Sequence, residues 1–373
     1  MGEESYSRTQ LLTLGTIIAL TPALRLFPGQ TAALAGRAAW LTAVGALPLG
    51  LAWLFLLSRL LRLRQAGENL PELALRLLGK AAGKAVVAGL GLWALLYAAF
   101  VLRAGADRLV GTVYPHSSPW VFALVMGALA LAGALARPRS LVRMARLLRP
   151  LLLGILGVLF VFALPGLRLD NLWPITVGDL LPALKGTLPA LDIYSGAALA
   201  LCFLVGGTKE TPGGFRALAA WVLGICVILT ALSLAVTGSF GAELAATLAR
   251  PFFALVRTLV FFRTVERVEA LVVTLWIFPD FLCASLFLWA GQYCLRLLLG
   301  QNPRAPHRDS LDLGGGRWLI PLCAVAVTGL AILLAPQPQQ LERWSRQLIP
   351  AINLALCFTL VPVLYIVGRK KQT

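Results

Sequence analysis

The chain is a succession of apolar runs, each about as long as a bilayer is thick. Taking roughly 20 apolar residues as one crossing, such runs fall at about 10 to 28, 38 to 58, 84 to 106, 117 to 136, 147 to 165, 186 to 206, 216 to 238, 264 to 294, 318 to 335 and 348 to 367. In hydrocarbon every peptide group must find its partner inside the protein, and segments of this length do so as helices. The expected fold class is therefore all-α integral membrane, with ten transmembrane helices. Composition agrees: 59% of 373 residues are hydrophobic and only 13% charged, which no soluble globular chain matches. Residues 1–373 read as one membrane domain.

A net charge of +17 raises nucleic acid as a partner, but the basic residues sit in short clusters between apolar runs, without an extended basic surface or interleaved aromatics. No nucleic-acid partner is expected; the clusters carry topology instead. Arg59, Arg62, Arg64, Arg76, Lys80 and Lys84 fall on one side of the membrane, as do Arg137, Arg139, Arg143, Arg146, Arg149 and the terminal Arg369, Lys370 and Lys371. The opposite side receives far fewer. By the positive-inside rule, ten spans place both termini in the cytoplasm. The first ten residues lack the basic region and cleavage site of a signal peptide, so the first span is expected to remain in the mature protein.

Enzymatic and metal chemistry have little to work with. Cys202, Cys226, Cys283, Cys294, Cys323 and Cys357 occur singly within or beside apolar runs, and His116 and His307 lie far apart in loops. No metal-ligand or CxxC spacing occurs and no nucleophile–base pair stands out, so neither an enzyme nor a cofactor is expected. Among the linkers, Asn69 to Lys84 has helical periodicity and reads as an amphipathic cytoplasmic helix on the membrane. Ser239 to Arg257 reads as an outer loop with a short helix. Gln301 to Gly316, rich in proline and glycine, reads as a mobile cytoplasmic loop.

Two spans are interrupted. The sixth, Leu188 to Glu210, carries Asp192, Tyr194, Ser195 and Gly196 at membrane depth, and the first, Thr9 to Gly29, carries Thr21, Pro22, Arg25 and Pro28. Ten spans divide into five plus five, each half opening on a broken segment. That is the layout of the LeuT-like inverted repeat, whose substrates sit where helices 1 and 6 unwind. The two repeats are expected over 9–165 and 179–368. Ser195 and Gly196 can free peptide groups by unwinding, and a helix N-terminus there would meet a ligand carboxylate. Pro22 removes a donor and forces a kink, which makes Thr21, Pro22 and Ala23 candidate ligand contacts alongside Asp192, Tyr194, Ser195 and Gly196. Arg25 reads as a snorkelling or paired charge rather than a clamp. Tyr97, Thr274 and Trp276 are further pocket candidates. Arg263, Glu266, Arg267 and Glu269 open the eighth span; Arg263 and Glu266 share a helical face and can neutralise one another, which favours a structural or partner-contact role.

The stretch Phe252 to Leu282, FFALVRTLVFFRTVERVEALVVTLWIFPDFL, resembles the endospore-germination permease family, the GerAB-type B subunits of spore germinant receptors. The likeness rests on its phenylalanine-rich approach, Glu266-Arg267, Glu269-Ala270-Leu271 and Trp276-Ile277. Ala39-Trp40, Leu73 to Gly83, Asn171-Leu172-Trp173-Pro174 and Thr208-Lys209-Glu210 follow in family order. The resemblance implies the amino acid, polyamine and organocation superfamily and a LeuT-like fold. It also implies assembly with A-type and C-type subunits in the spore inner membrane, and sensing of a small germinant, commonly an amino acid. Two departures stand out. Thr21-Pro22 replaces a small Gly-Ser-type break, and Ala197 stands where many members carry a glutamate.

The expected function is a ligand-sensing, permease-like subunit that binds a small amino-acid-type germinant between helices 1 and 6. An autonomous cation-coupled amino-acid transporter is the first alternative and a structural scaffold subunit the second.

Overall fold

The computed structural model describes residues 5–208, 214–259, 272, 275–301, 318–334 and 337–371. Among the described residues the regular structure is helical. In chain order the α-helices are α1 (Arg8–Arg25), α2 (Phe27–Ala35), α3 (Thr42–Leu61), α4 (Leu70–Leu78), α5 (Lys80–Thr112), α6 (Pro119–Leu135), α7 (Pro138–Ala163) and α8 (Leu180–Lys185). There follow α9 (Thr187–Leu201), α10 (Phe215–Phe240), α11 (Ala242–Thr247), α12 (Pro251–Thr258), α13 (Ile277–Leu298), α14 (Leu319–Leu333), α15 (Pro338–Arg343) and α16 (Ile349–Lys370).

Among the described residues, six helical stretches are long and apolar enough to cross a membrane: Phe27–Leu61, Lys80–Thr112, Pro138–Gly166, Phe215–Phe240, Ile277–Leu298 and Gln339–Lys370. Pro119–Leu135 and Leu319–Leu333 are apolar but shorter. Burial separates centre from rim. The most apolar window of α13 is 78% buried and that of α7 only 17%, so α7 turns Leu151, Val158 and Val161 outward as a lipid-facing helix would. α1 and α9, buried along nearly their whole lengths, form the middle and pack on each other. Around them stand α3, α7, α10, α13 and α16.

Where sequence placed the two interruptions, the chain remains helical. α1 continues through Thr21, Pro22 and Ala23 and is interrupted at Leu26, whose φ of −123° leaves the helix before α2 begins. Pro22 costs only the hydrogen bond it cannot donate, and its own carbonyl accepts from Leu26 N–H at 3.0 Å. α9 likewise runs unbroken through Ser195 and Gly196 and ends at Leu201. The Ser195 hydroxyl donates to Leu191 O at 2.7 Å, which satisfies it inside the helix, and one glycine costs a helix only about 1 kcal/mol. At 15 residues α9 is about 22 Å long, short of the roughly 30 Å hydrocarbon core.

The segment after α9, Cys202 to Thr208, is therefore irregular backbone inside the protein, and other segments satisfy its polar groups. Leu70 N–H donates to Cys202 O and Tyr6 N–H to Gly207 O. The Tyr6 hydroxyl donates to Leu204 O. The Asn69 carbonyl oxygen accepts from Gly206 N–H at 2.7 Å, and its amide donates to the Tyr293 hydroxyl at 2.9 Å. One short linker thus ties the end of α9 to α4, α13 and the N-terminus.

The linkers refine the sequence reading. The amphipathic helix is α4 alone, entered through an Asn69–Glu72 capping box and closed by Gly79 at φ +80°, a conformation that favours glycine. The third span begins directly afterwards, at Lys80. Two short helices, α11 and α12, occupy the Ser239–Arg257 linker. The proposed mobile loop, Arg263, Glu266, Arg267, Glu269 and Thr274 lie outside the described residues.

α5 and α13 make the most extensive helix contact. At Gly91 an added Cβ would sit 2.9 Å from Cys294 Cβ, and at Gly105 one would sit 3.0 Å from Asp280 Oδ2; small residues permit this approach, as membrane helix interfaces require. Arg108 on α5 forms a buried ion pair with Asp280 in the first turn of α13. Asp280→Asn strands the Arg108 charge at 1% exposure, and the expected loss is about 3–5 kcal/mol, read as a lowered Tm in detergent. Asn69→Ala leaves Gly206 N–H without its acceptor, with an expected loss of about 1–3 kcal/mol in the same measurement.

Candidate functional site

A small polar cavity at the centre of the bundle lies where α1, α5, α9, α13 and α16 meet. Its walls are Ile18, Ala19 and Pro22 of α1, Trp93 and Tyr97 of α5, Asp192, Ile193, Gly196 and Ala197 of α9, Phe287 of α13 and Asn353 of α16. The cavity is closed down, leaving about 10 Å³ for the centre of a water-sized sphere, which is room for roughly one water.

Each polar group is there because its helix is held from outside. Trp93 Nε1 donates to Asn353 Oδ1 at 2.7 Å, which occupies the Asn353 carbonyl and turns its amide toward Asp192. Asp192 and Gly196 are one helical turn apart on the same face. A Cβ at Gly196 would lie 3.9 Å from both Asn353 Nδ2 and Asp192 Oδ1, so the absence of a side chain there is what keeps the space between the acid and the amide open. Asp192 Oδ1 is buried and has no hydrogen-bond partner. The aromatic wall is continuous: Trp93 meets Phe287 edge-on at 5.1 Å between centroids, and Tyr97 meets Phe287 at 4.5 Å.

A buried carboxylate oxygen without a donor, in a space lined by aromatic and aliphatic groups, is built to receive a cation or a hydrogen-bond donor. Among the described residues no group of three His, Cys, Asp or Glu could hold a metal ion.

Of the residues singled out by sequence, Pro22, Tyr97, Asp192 and Gly196 come together in this wall. Thr21, Ala23 and Ser195 are buried beside it without lining it. Tyr194 faces away: its hydroxyl donates to Ala43 O at 3.0 Å, and its ring lies 3.0 Å from where a Cβ of Gly50 would stand, so it fastens α9 to α3. Trp276 is also buried elsewhere, 6.3 Å from the Phe252 ring centroid. Sequence reasoning missed Trp93, Phe287 and Asn353. The last had a signal, an amide in an apolar span; the two aromatics had none, since a cavity-facing ring and a packed one read alike. The acid that the resemblance leads one to expect at Ala197 has a spatial counterpart in Asp192, which lines the same cavity from further up α9.

The chain resembles known transporters in structure. It superposes on Mhp1, a nucleobase-cation-symport-1 family transporter in a closed conformation with bromovinylhydantoin bound, with a TM-score of 0.67 and 16% identity over 97% of this chain and 78% of that one. It superposes on MhsT in complex with L-phenylalanine with a TM-score of 0.62 and 13% identity, covering 99% of both chains. At these identities the likeness establishes the fold, an all-α LeuT-like membrane architecture. No curated protein sequence matches the chain. Residues 6–337 match the model of the spore germination protein family, and since that match spans most of the sequence, the chain belongs to this family of multi-pass, permease-like subunits of germinant receptors.

Proposed function

We propose that the closed cavity between α1, α5, α9, α13 and α16 is the germinant site of this subunit, and that its ligand is a small amino acid. The observation that carries the reading is the unpartnered Asp192 oxygen in a space walled mainly by apolar groups. In this reading the ten spans form two inverted repeats, 9–165 and 179–368, with helix 1 broken at Leu26 and helix 6 broken after Leu201. Both termini lie in the cytoplasm, and A-type and C-type subunits read out the state of the bundle.

A cavity with room for about one water is the contracted form of such a site. A ligand fits only after α1 and α9 separate from α5, α13 and α16, so binding favours a wider arrangement by its differential affinity for the two forms. The short irregular end of α9 and the interruption at Leu26 are where those helices can pivot without breaking regular hydrogen bonding. A transporter acting alone is the second reading, favoured by the fold shared with Mhp1 and MhsT. Uptake of a small amino acid by proteoliposomes containing this chain alone would establish it, whereas a sensor that needs its partners gives none.

Gly196→Trp fills the gap between Asp192 and Asn353. Spores carrying it at normal protein level are expected to lose the response to the germinant, and an unchanged response to every germinant would sink the site. Asp192→Asn is expected to raise the germinant concentration needed for half-maximal response by at least tenfold, a loss of about 1.4 kcal/mol or more. It should leave the Tm of the empty protein unchanged or higher, because it removes a buried acid that lacks a partner.

A further inference from the structure

The first half of α7 carries Arg139, Arg143, Arg146 and Arg149, and among the described residues none of the four forms an ion pair. Arg149 Nη1 donates to the Thr13 hydroxyl of α1 at 3.3 Å, a neutral partner. Between this end of α7 and the start of α1 lies an open cleft lined by Ser7, Thr9 and Gln10 on one side and Arg146 and Arg149 on the other, with Leu153 one turn further along α7. About 530 Å³ of it is accessible to the centre of a water-sized sphere. Ser7 and Gln10 cap α1 reciprocally, and no acid stands in its first turn. The cleft therefore combines two guanidinium groups with the positive end of a helix dipole, and no carboxylate is among the described residues that line it.

Leu153 lines a second space as well. This one is a groove between α7, α10 and α12, walled by Leu156, Gly157 and Phe160 on one side and by Ala231 and Phe252 on the other. Every described residue that lines it is apolar, and about 210 Å³ is accessible to the centre of a water-sized sphere. Gly157 keeps it open, since a Cβ added there meets nothing within 4 Å. From Arg149 to Phe160 the helix rises roughly 16 Å, close to half of the roughly 30 Å hydrocarbon core. A basic cleft and an apolar groove thus meet at Leu153, with the length of one leaflet between the charge and the far end of the groove on α7.

We propose that the cleft and groove together hold one anionic phospholipid, its phosphate on Arg146 and Arg149 and one acyl chain along α7 past Gly157. A phosphodiester takes charge-assisted hydrogen bonds from guanidinium groups, and the Ser7 and Thr9 hydroxyls supply further donors. Basic pockets between membrane helices suit anionic headgroups. A zwitterionic headgroup gains less, because it brings its own cation toward the two arginines. A free anion uses the cleft and leaves the groove empty. The positive-inside rule accounts for arginine at this end of α7 but calls for neither the cleft nor the groove. The site shares no lining residue with the central cavity. It bears on that cavity through α1, because the lipid bridges α7 and the start of the helix that supplies Ile18, Ala19 and Pro22 to the cavity wall.

The test uses the full chain, purified in a non-ionic detergent and stripped of native lipid, and titrated with dioleoyl phosphatidylglycerol, dioleoyl phosphatidylcholine or inorganic phosphate. Bound lipid is counted by native mass spectrometry, and Tm is followed in parallel, since a ligand of the folded chain raises it. Phosphatidylglycerol is expected to bind the wild type roughly tenfold more tightly than phosphatidylcholine, and inorganic phosphate to leave Tm unchanged. Arg146→Gln, at an exposed position, should weaken phosphatidylglycerol roughly fivefold. Arg139→Gln makes the same charge change two turns away and outside the cleft, and should leave the affinity within about twofold. Gly157→Phe fills the groove without a clash and should weaken phosphatidylglycerol with both arginines intact. Equal binding of the two lipids by the wild type overturns the site. Equal losses in Arg146→Gln and Arg139→Gln also overturn it, because attraction is then spread over the whole basic end of α7. Stabilisation by inorganic phosphate that matches phosphatidylglycerol, or an unchanged affinity in Gly157→Phe, makes the cleft a free-anion site and overturns the lipid. If a variant fails to fold, the three wild-type titrations still decide.

Discussion

An interrupted helix inside a bilayer survives only if the peptide groups it leaves open are satisfied by protein, and much of this structure is arranged around that requirement at the end of α9. The chain after Leu201 turns out of helical geometry while still inside the molecule. Its open carbonyls and N–H groups are taken by Tyr6 and by the adjacent Asn69 and Leu70, which belong to two different parts of the sequence. The same Asn69 caps α4 and holds Tyr293 of α13. One irregular linker thus fixes the amphipathic helix, the N-terminus and α13 relative to each other. It also leaves α9 free to be a short element with its ends held and its middle facing the cavity.

At the other end the organising groups are charges rather than peptide bonds. The Arg108–Asp280 pair joins α5 to α13 where glycines let those helices approach closely, and each charge satisfies the other. Asp192, which lines the cavity, forms no ion pair with any described cation, and one of its oxygens is buried without a hydrogen-bond partner. Contraction of the cavity to about one water fits the same logic, since an empty site exposes least to solvent when its aromatic walls close.

Much of this was legible in the sequence. Membrane-length apolar runs gave an all-α membrane protein, and the motifs from Phe252 to Leu282 carried the family. Of the candidate contacts named from polarity or backbone chemistry, Pro22, Tyr97, Asp192 and Gly196 line the central cavity. The breaks were misplaced because local propensity was weighed without its context: Ser195 and Gly196 look able to unwind the helix until the Ser195 hydroxyl is seen bonded to Leu191 O, and the interruption of the first span looks centred on Pro22 until the helix is seen to continue through Arg25. Tyr194 looked like a ligand contact and is a fastener.

Sequence by itself determined the solvent and the all-helical class of this protein, because a bilayer permits so few answers for a chain of this hydropathy. Only the tertiary structure decided which polar groups are satisfied. Asn353 meets Trp93 from 260 residues away, Tyr6 meets Leu204 across 198, and Arg108 meets Asp280 across 172. Pairing at such separations is set by how helices pack, which no local pattern records.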